Sequence, residues 1–326
     1  MPETPAGSVP RASTTWEPDV WPLLQPVIAR GRSELDFSDP QVLALLRTPA
    51  PRSAAVDGVT FSETTVPDAS GEHAVPVRVY RPEHPDPRRP GYVLFHGGGW
   101  SFGDLETEHQ RCLELTGRCG AVGVSVDYRL APEHPADVVL DDCWAAVRWT
   151  ADLPDVDPRR IVVTGSSAGG GLALSIAQIA RDRGGVQPML ALVLYPNTDD
   201  RALPDYVSRS TDLPVITGAQ VDQVVRNVGG GAAGPPPYIF PNRTEDLSGL
   251  CPTFVVIAGN DPLRDEALAY ATRLVHADVP VELHLLPGVA HAFDLHGPGT
   301  ASTRTAYQLM CAAVDRASAR VQDRPR

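Results

Sequence analysis

The sequence predicts an α/β fold, a mainly parallel sheet flanked by helices, and three observations predict it. Short aliphatic runs alternate with helix-like segments along most of the 326 residues. The later runs are almost unbroken in Val, Ile and Leu, as strands buried on both faces should be. Loops rich in glycine or charge follow four of them, at the strand ends where open α/β sheets bind ligands.

The candidate strands are 59–66, 74–80, 92–96, 121–126, 161–165, 190–195, 253–259 and 281–286. The first two alternate apolar with polar around "PDASGE", as an antiparallel edge hairpin does. Helices are expected near 105–118, 137–151, 168–182, 263–277 and 301–320. Two regions fit no strand–helix alternation. Residues 14–50 read as two short helices, the second capped by Ser38 ahead of "DPQVLALLR". Residues 200–245 are irregular, contain "GGGAAGPPP", and hold one helical piece after Thr217. A long irregular insertion in a compact domain reads as a functional lid, and the two regions are expected to pack together over one end of the sheet.

Composition excludes several classes. The formal net charge is -12, which argues against nucleic acid or an anionic membrane as partner. All 28 basic residues are arginine. Without lysine there is no Schiff-base chemistry, no Ser-Lys dyad and no P-loop. Five cysteines lack metal-ligand spacing, so neither a disulfide framework nor a metal site is expected. The N-terminal stretch has no apolar signal core, and a cytoplasmic location is expected.

The chemistry sits in four loops. "HGGGWSFGD" (96–104) follows the third strand, and its three glycines let backbone N–H groups approach a developing oxyanion. "IVVTGSSAGGG" (161–171) places two serines side by side. A nucleophile elbow needs glycine two residues either side of the serine. Ser167 has Gly165 and Gly169, whereas Ser166 has Thr164 and Ala168, so Ser167 is the expected nucleophile. "AGNDPLRDE" supplies Asp261 as the orienting carboxylate, with Asp265 and Glu266 as rivals. "LPGVAHAFD" supplies His291 as the base, with His296 as runner-up. The order Ser, Asp, His is the one expected of α/β-hydrolases.

Together "HGGGW", "DYRLAPEHP", "GSSAGG", "YPNTD", "DPLRDE" and "HAF" resemble the hormone-sensitive-lipase-like branch of the α/β-hydrolases, over roughly residues 75 to 320. The resemblance implies an eight-stranded sheet, a helical cap and hydrolysis of carboxylic esters of small to medium acyl chain, without cofactor. The expected division is 1–55 as the N-terminal part of the cap, 56–199 and 246–326 as the core, and 200–245 as the cap insertion. Carried over by position, Ser167, His291 and Asp261 form the triad. The amides of Gly98, Gly99 and Ala168 would receive the oxyanion, with Gly97 sharing; Gly97, Trp100 and Ser166 would touch substrate. His96 would shape its loop, and Asp127 and Arg129 would tie loops near the site. Two departures stand out: Ser166 occupies a position that is often acidic in the family, and the insertion is rich in glycine and proline instead of aromatics. The same machinery serves a deacetylase, amidase, lactonase or acyltransferase, and relatives that lose a triad member act as small-molecule receptors. A homodimer through the sheet edge or last helix is expected by analogy. A histidine base must be neutral, so activity is expected to fall in acid.

Overall fold

A computed structural model describes residues 15–48, 57–68, 70–84, 88–201, 213–229 and 234–322. Its centre is one sheet of β1 (Val59–Pro67), β2 (Ala74–Pro82), β3 (Arg89–Phe95), β4 (Val122–Val126), β5 (Val156–Ser166), β6 (Leu190–Leu194), β7 (Thr253–Asn260) and β8 (Val281–Ala290). The spatial order is β1-β2-β4-β3-β5-β6-β7-β8. Strand β2 runs antiparallel to both its neighbours, and all other pairings are parallel. All eight expected strands are present, with β5 and β8 longer than their apolar runs suggested.

The sheet divides the core in two. Along β3, Val93 and Phe95 point to one face while Tyr92 and Leu94 point to the other. The first face is covered by α4 (Ala136–Ala151), α5 (Ala168–Arg183) and α7 (Arg264–His276). The second is covered by α3 (His109–Cys119) and α8 (Ala301–Gln322). Each buried Val or Leu on these faces contributes about 1.5–3 kcal/mol. That suffices to hold strand ends, and therefore loops, at fixed positions. None of the described helices is long and apolar enough to cross a membrane.

The N-terminal region holds α1 (Trp21–Ala29), a 3-10 turn at Arg32–Glu34, and α2 (Pro40–Leu46). The cap of α2 differs from expectation. Asp39 accepts from the Gln41 amide at 2.7 Å, while the Ser38 hydroxyl donates to Asp36. Aspartate, one residue nearer the Pro40 that starts the helix, has the extended backbone an N-cap needs. Helix α6 (Gly218–Val228) starts at a capping box between Thr217 and Gln220. Its Gln220 side chain donates to the carbonyls of Arg32 and Leu35, and its Gln223 side chain accepts from the Phe37 amide. Asn227 donates to the Phe37 carbonyl. The two regions outside the alternation thus hydrogen-bond to each other across about 190 residues of sequence. Residues 230–233 of the glycine-proline stretch, and residues 202–212, lie outside the described residues.

Candidate active site

Ser167 is the single residue between β5 and α5, at φ 55 and ψ −124, a conformation L-residues rarely adopt. A Cβ on Gly169 would stand 1.9 Å from the Phe95 carbonyl oxygen, and one on Gly165 would stand 2.4 Å from that of Gly169. The turn therefore tolerates no side chain at either flank, and it lifts the Ser167 hydroxyl out at the end of the sheet.

His291 directly follows β8, which runs on past its aliphatic part to Ala290, and Asp261 directly follows β7. His291 Nε2 lies 3.0 Å from Ser167 Oγ, and its Nδ1 lies 2.8 Å from Asp261 Oδ2. An ionised carboxylate only accepts, so Nδ1 carries the proton and Nε2 is left to accept from the serine. Asp261 is fully buried, and its other oxygen accepts from the Leu263 amide at 2.8 Å. Three residues separated by up to 124 positions meet at the C-terminal ends of the strands.

The rivals have other partners. Asp265 pairs with Arg264, and Glu266 accepts from the amides of Thr198 and Asp199. Burial holds the Glu266 carboxyl well above the usual carboxylate range. His296 faces the same cavity without reaching Ser167; burial, then the nearby charges of Arg32 and a protonated His291, lower its pKa to about 4. His96 stacks on Tyr128 at 4.2 Å, with Nδ1 2.8 Å from the Gly97 carbonyl oxygen, and burial lowers its pKa too. Arg129 ties the Asp142 and Asp68 carboxylates together.

In the glycine loop, Gly98 adopts φ +124, and a Cβ there would come within 2.0 Å of the Phe102 carbonyl oxygen. Among the described residues nothing accepts from the amides of Gly98, Gly99 or Ala168. Gly97 differs from the expectation that it shares an oxyanion, because its amide donates to Glu108 Oε1 at 2.8 Å. Gly97 and Ser166 do line the cavity beside Ser167. Trp100 does not: its side chain is fully buried, edge-on to Phe240 at 5.7 Å.

Sequence reasoning missed a buried charge network beneath the site. Glu108 accepts from the Gly97 amide, from the Ser166 hydroxyl and from Arg111. Arg111 also donates to Asp294 at 2.6 Å and to the Tyr195 hydroxyl at 2.8 Å. Tyr195 donates to Asp294 and sets its ring edge against His291, 4.8 Å between centroids. Burial pushes the Glu108 carboxyl up, and the Arg111 charge with its two neutral donors opposes that. One network thus connects the glycine loop, the elbow and the His291 loop. Among the described residues no group of three or more His, Cys, Asp or Glu could hold a metal ion.

Above Ser167 lies a cavity of about 150 Å³. Phe37, Phe102, Val215, Ile216 and Leu295 form its apolar walls, and Arg32, Thr107 and His296 its polar points. An engineered protein cavity of about this volume holds benzene, so the space suits a short substrate arm.

A family model described as alpha/beta hydrolase fold matches residues 92–295. The esterase LipI of Mycobacterium tuberculosis is 40% identical over 224 residues, 66% of this chain and 70% of that protein. The carboxylesterase NlhH of the same organism is 37% identical over 275 residues, 82% of this chain and 81% of its own. The crystal structure of esterase LipW from Mycobacterium marinum superposes with a TM-score of 0.79 at 32% identity, covering 94% of this chain and 98% of that one.

Proposed function

We infer that this chain, which belongs to the α/β-hydrolase fold family, in the hormone-sensitive-lipase-like branch its motifs resemble, is a carboxylic ester hydrolase that works through an acyl-enzyme on Ser167. The observation that carries the site assignment is the 3.0 Å and 2.8 Å pair of contacts linking Ser167, His291 and Asp261. The ester class rests on the relatives, which are named esterase and carboxylesterase.

In the proposed reaction His291 Nε2 takes the Ser167 proton as the hydroxyl oxygen attacks the ester carbonyl carbon. Asp261 holds the ring orientation and stabilises the imidazolium. The oxyanion accepts from the unpartnered amides of Gly98, Gly99 and Ala168, the last at the positive end of α5. His291 then protonates the departing alcohol. Water attacks the acyl-serine by the same route, releasing the acid and restoring the serine.

Glu108 acts as a positioning residue in this reading. By occupying the Gly97 amide and the Ser166 hydroxyl it sets the spacing between the glycine loop and the elbow. The family's acidic elbow residue is absent at Ser166, and here the buried carboxylate comes from Glu108, the residue just before α3, instead. The segment up to residue 55 and the insertion 200–245 are proposed to form one cap, supported by the hydrogen bonds from α6 to Arg32, Leu35 and Phe37. The cap would limit the acyl chain to small or medium length.

Hydrolysis of p-nitrophenyl acetate through decanoate tests the reading, with Ser167→Ala as control. Turnover of the short esters that vanishes in the variant is expected; activity that survives it would overturn the assignment.

A further inference from the structure

An arginine lines the cavity with no acid beside it among the described residues. The protein is strongly acidic, and the buried arginines among the described residues are doubly paired, whereas Arg32 is half-buried: Arg78 pairs with Glu63 and Glu106, Arg111 with Glu108 and Asp294. Arg32 has no carboxylate within ion-pair distance among the described residues, and its buried Nε has no hydrogen-bond partner there. Its guanidinium carbon lies 6.0 Å from the centre of the Phe102 ring, within cation–π range. Burial shifts its pKa downward, and among the described residues no carboxylate offsets the cost of removing this charge from water.

The backbone around it is well held. Gly31 at φ +63 turns the chain into the Arg32–Glu34 turn, and the Arg32 carbonyl accepts from Gln220 at 2.8 Å. The guanidinium is thus carried on a fastened segment into the cavity that also exposes Ser167 and His291. A guanidinium takes a carboxylate through two parallel N–H donors, and does so most strongly where water is scarce. The neighbouring His296 cannot replace that anion, being itself a base. The apolar walls around Arg32 suit the short carbon arm of such a substrate.

We propose that Arg32 is a specificity-determining residue that binds a free carboxylate on the substrate, so that the preferred esters are small and carry a negative charge a few bonds from the scissile carbonyl. This proposal rests on the ester-hydrolase reading above and deepens it. The carboxylate belongs either to the acyl arm, as in a dicarboxylic acid monoester, or to the alcohol arm, as in the acylated form of a hydroxy acid.

Two pairs of esters separate these sources, each matching a carboxylate against an isopropyl group of similar shape. Monoethyl succinate against ethyl 4-methylpentanoate probes the acyl arm, and acetoxyacetate against isobutyl acetate probes the alcohol arm. The readout is the ratio of kcat/KM, charged over neutral, followed by pH-stat. The wild type is expected to give a ratio above one in at least one pair. That ratio should fall about 10–100-fold in Arg32→Gln, the range of one charged hydrogen-bonded contact, and less in Arg32→Lys, which keeps the charge but not the fork. Because the ratio compares two substrates on one preparation, a partly folded variant does not imitate the effect. A wild-type ratio below one in both pairs overturns the proposal without needing any variant. So does a ratio that Arg32→Gln leaves within about twofold of wild type, and in both cases ester hydrolysis stands. If the wild type cleaves neither these esters nor p-nitrophenyl acetate above the Ser167→Ala background, the parent reading fails and the proposal falls with it.

Discussion

The floor of the cavity and its roof handle charge in opposite ways. Beneath Ser167, every charged group of the Glu108–Arg111–Asp294 network has a partner, and the guanidinium and both carboxylates are fully buried. Above it, on the proposed cap, Arg32 has none among the described residues. Paired charges with little freedom keep loops in register, whereas an unpaired one is free to meet something that arrives. The difference teaches that buried charge has two uses in this molecule, holding a geometry and recognising a ligand, and that counting partners separates them.

The comparison breaks first at the two adjacent serines. Ser167→Ala is expected to lower kcat/KM by about 10⁴-fold or more, because the nucleophile goes while binding stays. Ser166→Ala, which loses only a hydrogen bond to Glu108, should cost far less. Equal losses, measured on p-nitrophenyl acetate, would mean that the floor does not discriminate between its serines.

Floor and roof touch at Gly99, where a Cβ would lie 2.4 Å from Val224 of α6. Gly99→Ala is expected to reduce kcat by about 10²–10³-fold by displacing an oxyanion donor. Adding Val224→Ala should return part of that loss, since the methyl then has somewhere to go. Strict additivity in the double variant would show that the cap does not press on the glycine loop.

Glu108→Gln tests the paired floor through stability. Arg111 would keep only one acid, so unfolding free energy should drop by about 3 kcal/mol, read from denaturant curves. An unchanged midpoint would place the network's value elsewhere.

The smallest effect belongs to the cavity wall, at His296 on the core side. With its folded pKa lowered to about 4 by burial, His296 stays neutral where an unfolded histidine, near pH 6.5, takes a proton. The unfolded chain therefore binds more protons between those values, and stability contributed by neutral His296 is lost as pH falls from about 6.5 toward 4. Since the ring is partly exposed, about 2 kcal/mol is expected across that window. His296→Gln should flatten the difference between denaturation curves at the two ends of it; a variant as acid-sensitive as wild type would contradict the burial assigned to His296.

What could be read from the sequence follows the same division. The elbow was readable because steric exclusion at Gly165 and Gly169 leaves a spacing rule, and Asp261 and His291 because they directly follow β7 and β8. Glu108 and Arg111 were not. They lie at the start of a helix in "ETEHQRCLEL", where acids and arginines normally face water, and only the packing of α3 on β2 and β4 turns them inward. Arg32 was invisible for a related reason: its significance is that no acid pairs with it among the described residues, and no local pattern encodes a missing contact. Trp100 shows the converse, an aromatic beside the glycine loop whose ring goes into the core because its backbone takes φ 56.

Covalent labelling tests the central claim most directly. Incubating the protein with a short-chain p-nitrophenyl alkylphosphonate, then digesting it and sequencing peptides by mass spectrometry, locates the side chain that attacks. The account predicts one phosphonyl group per chain, on Ser167, appearing in step with loss of ester hydrolysis. Phosphonyl on Ser166 or on another residue, or full inactivation with Ser167 unmodified, would contradict it.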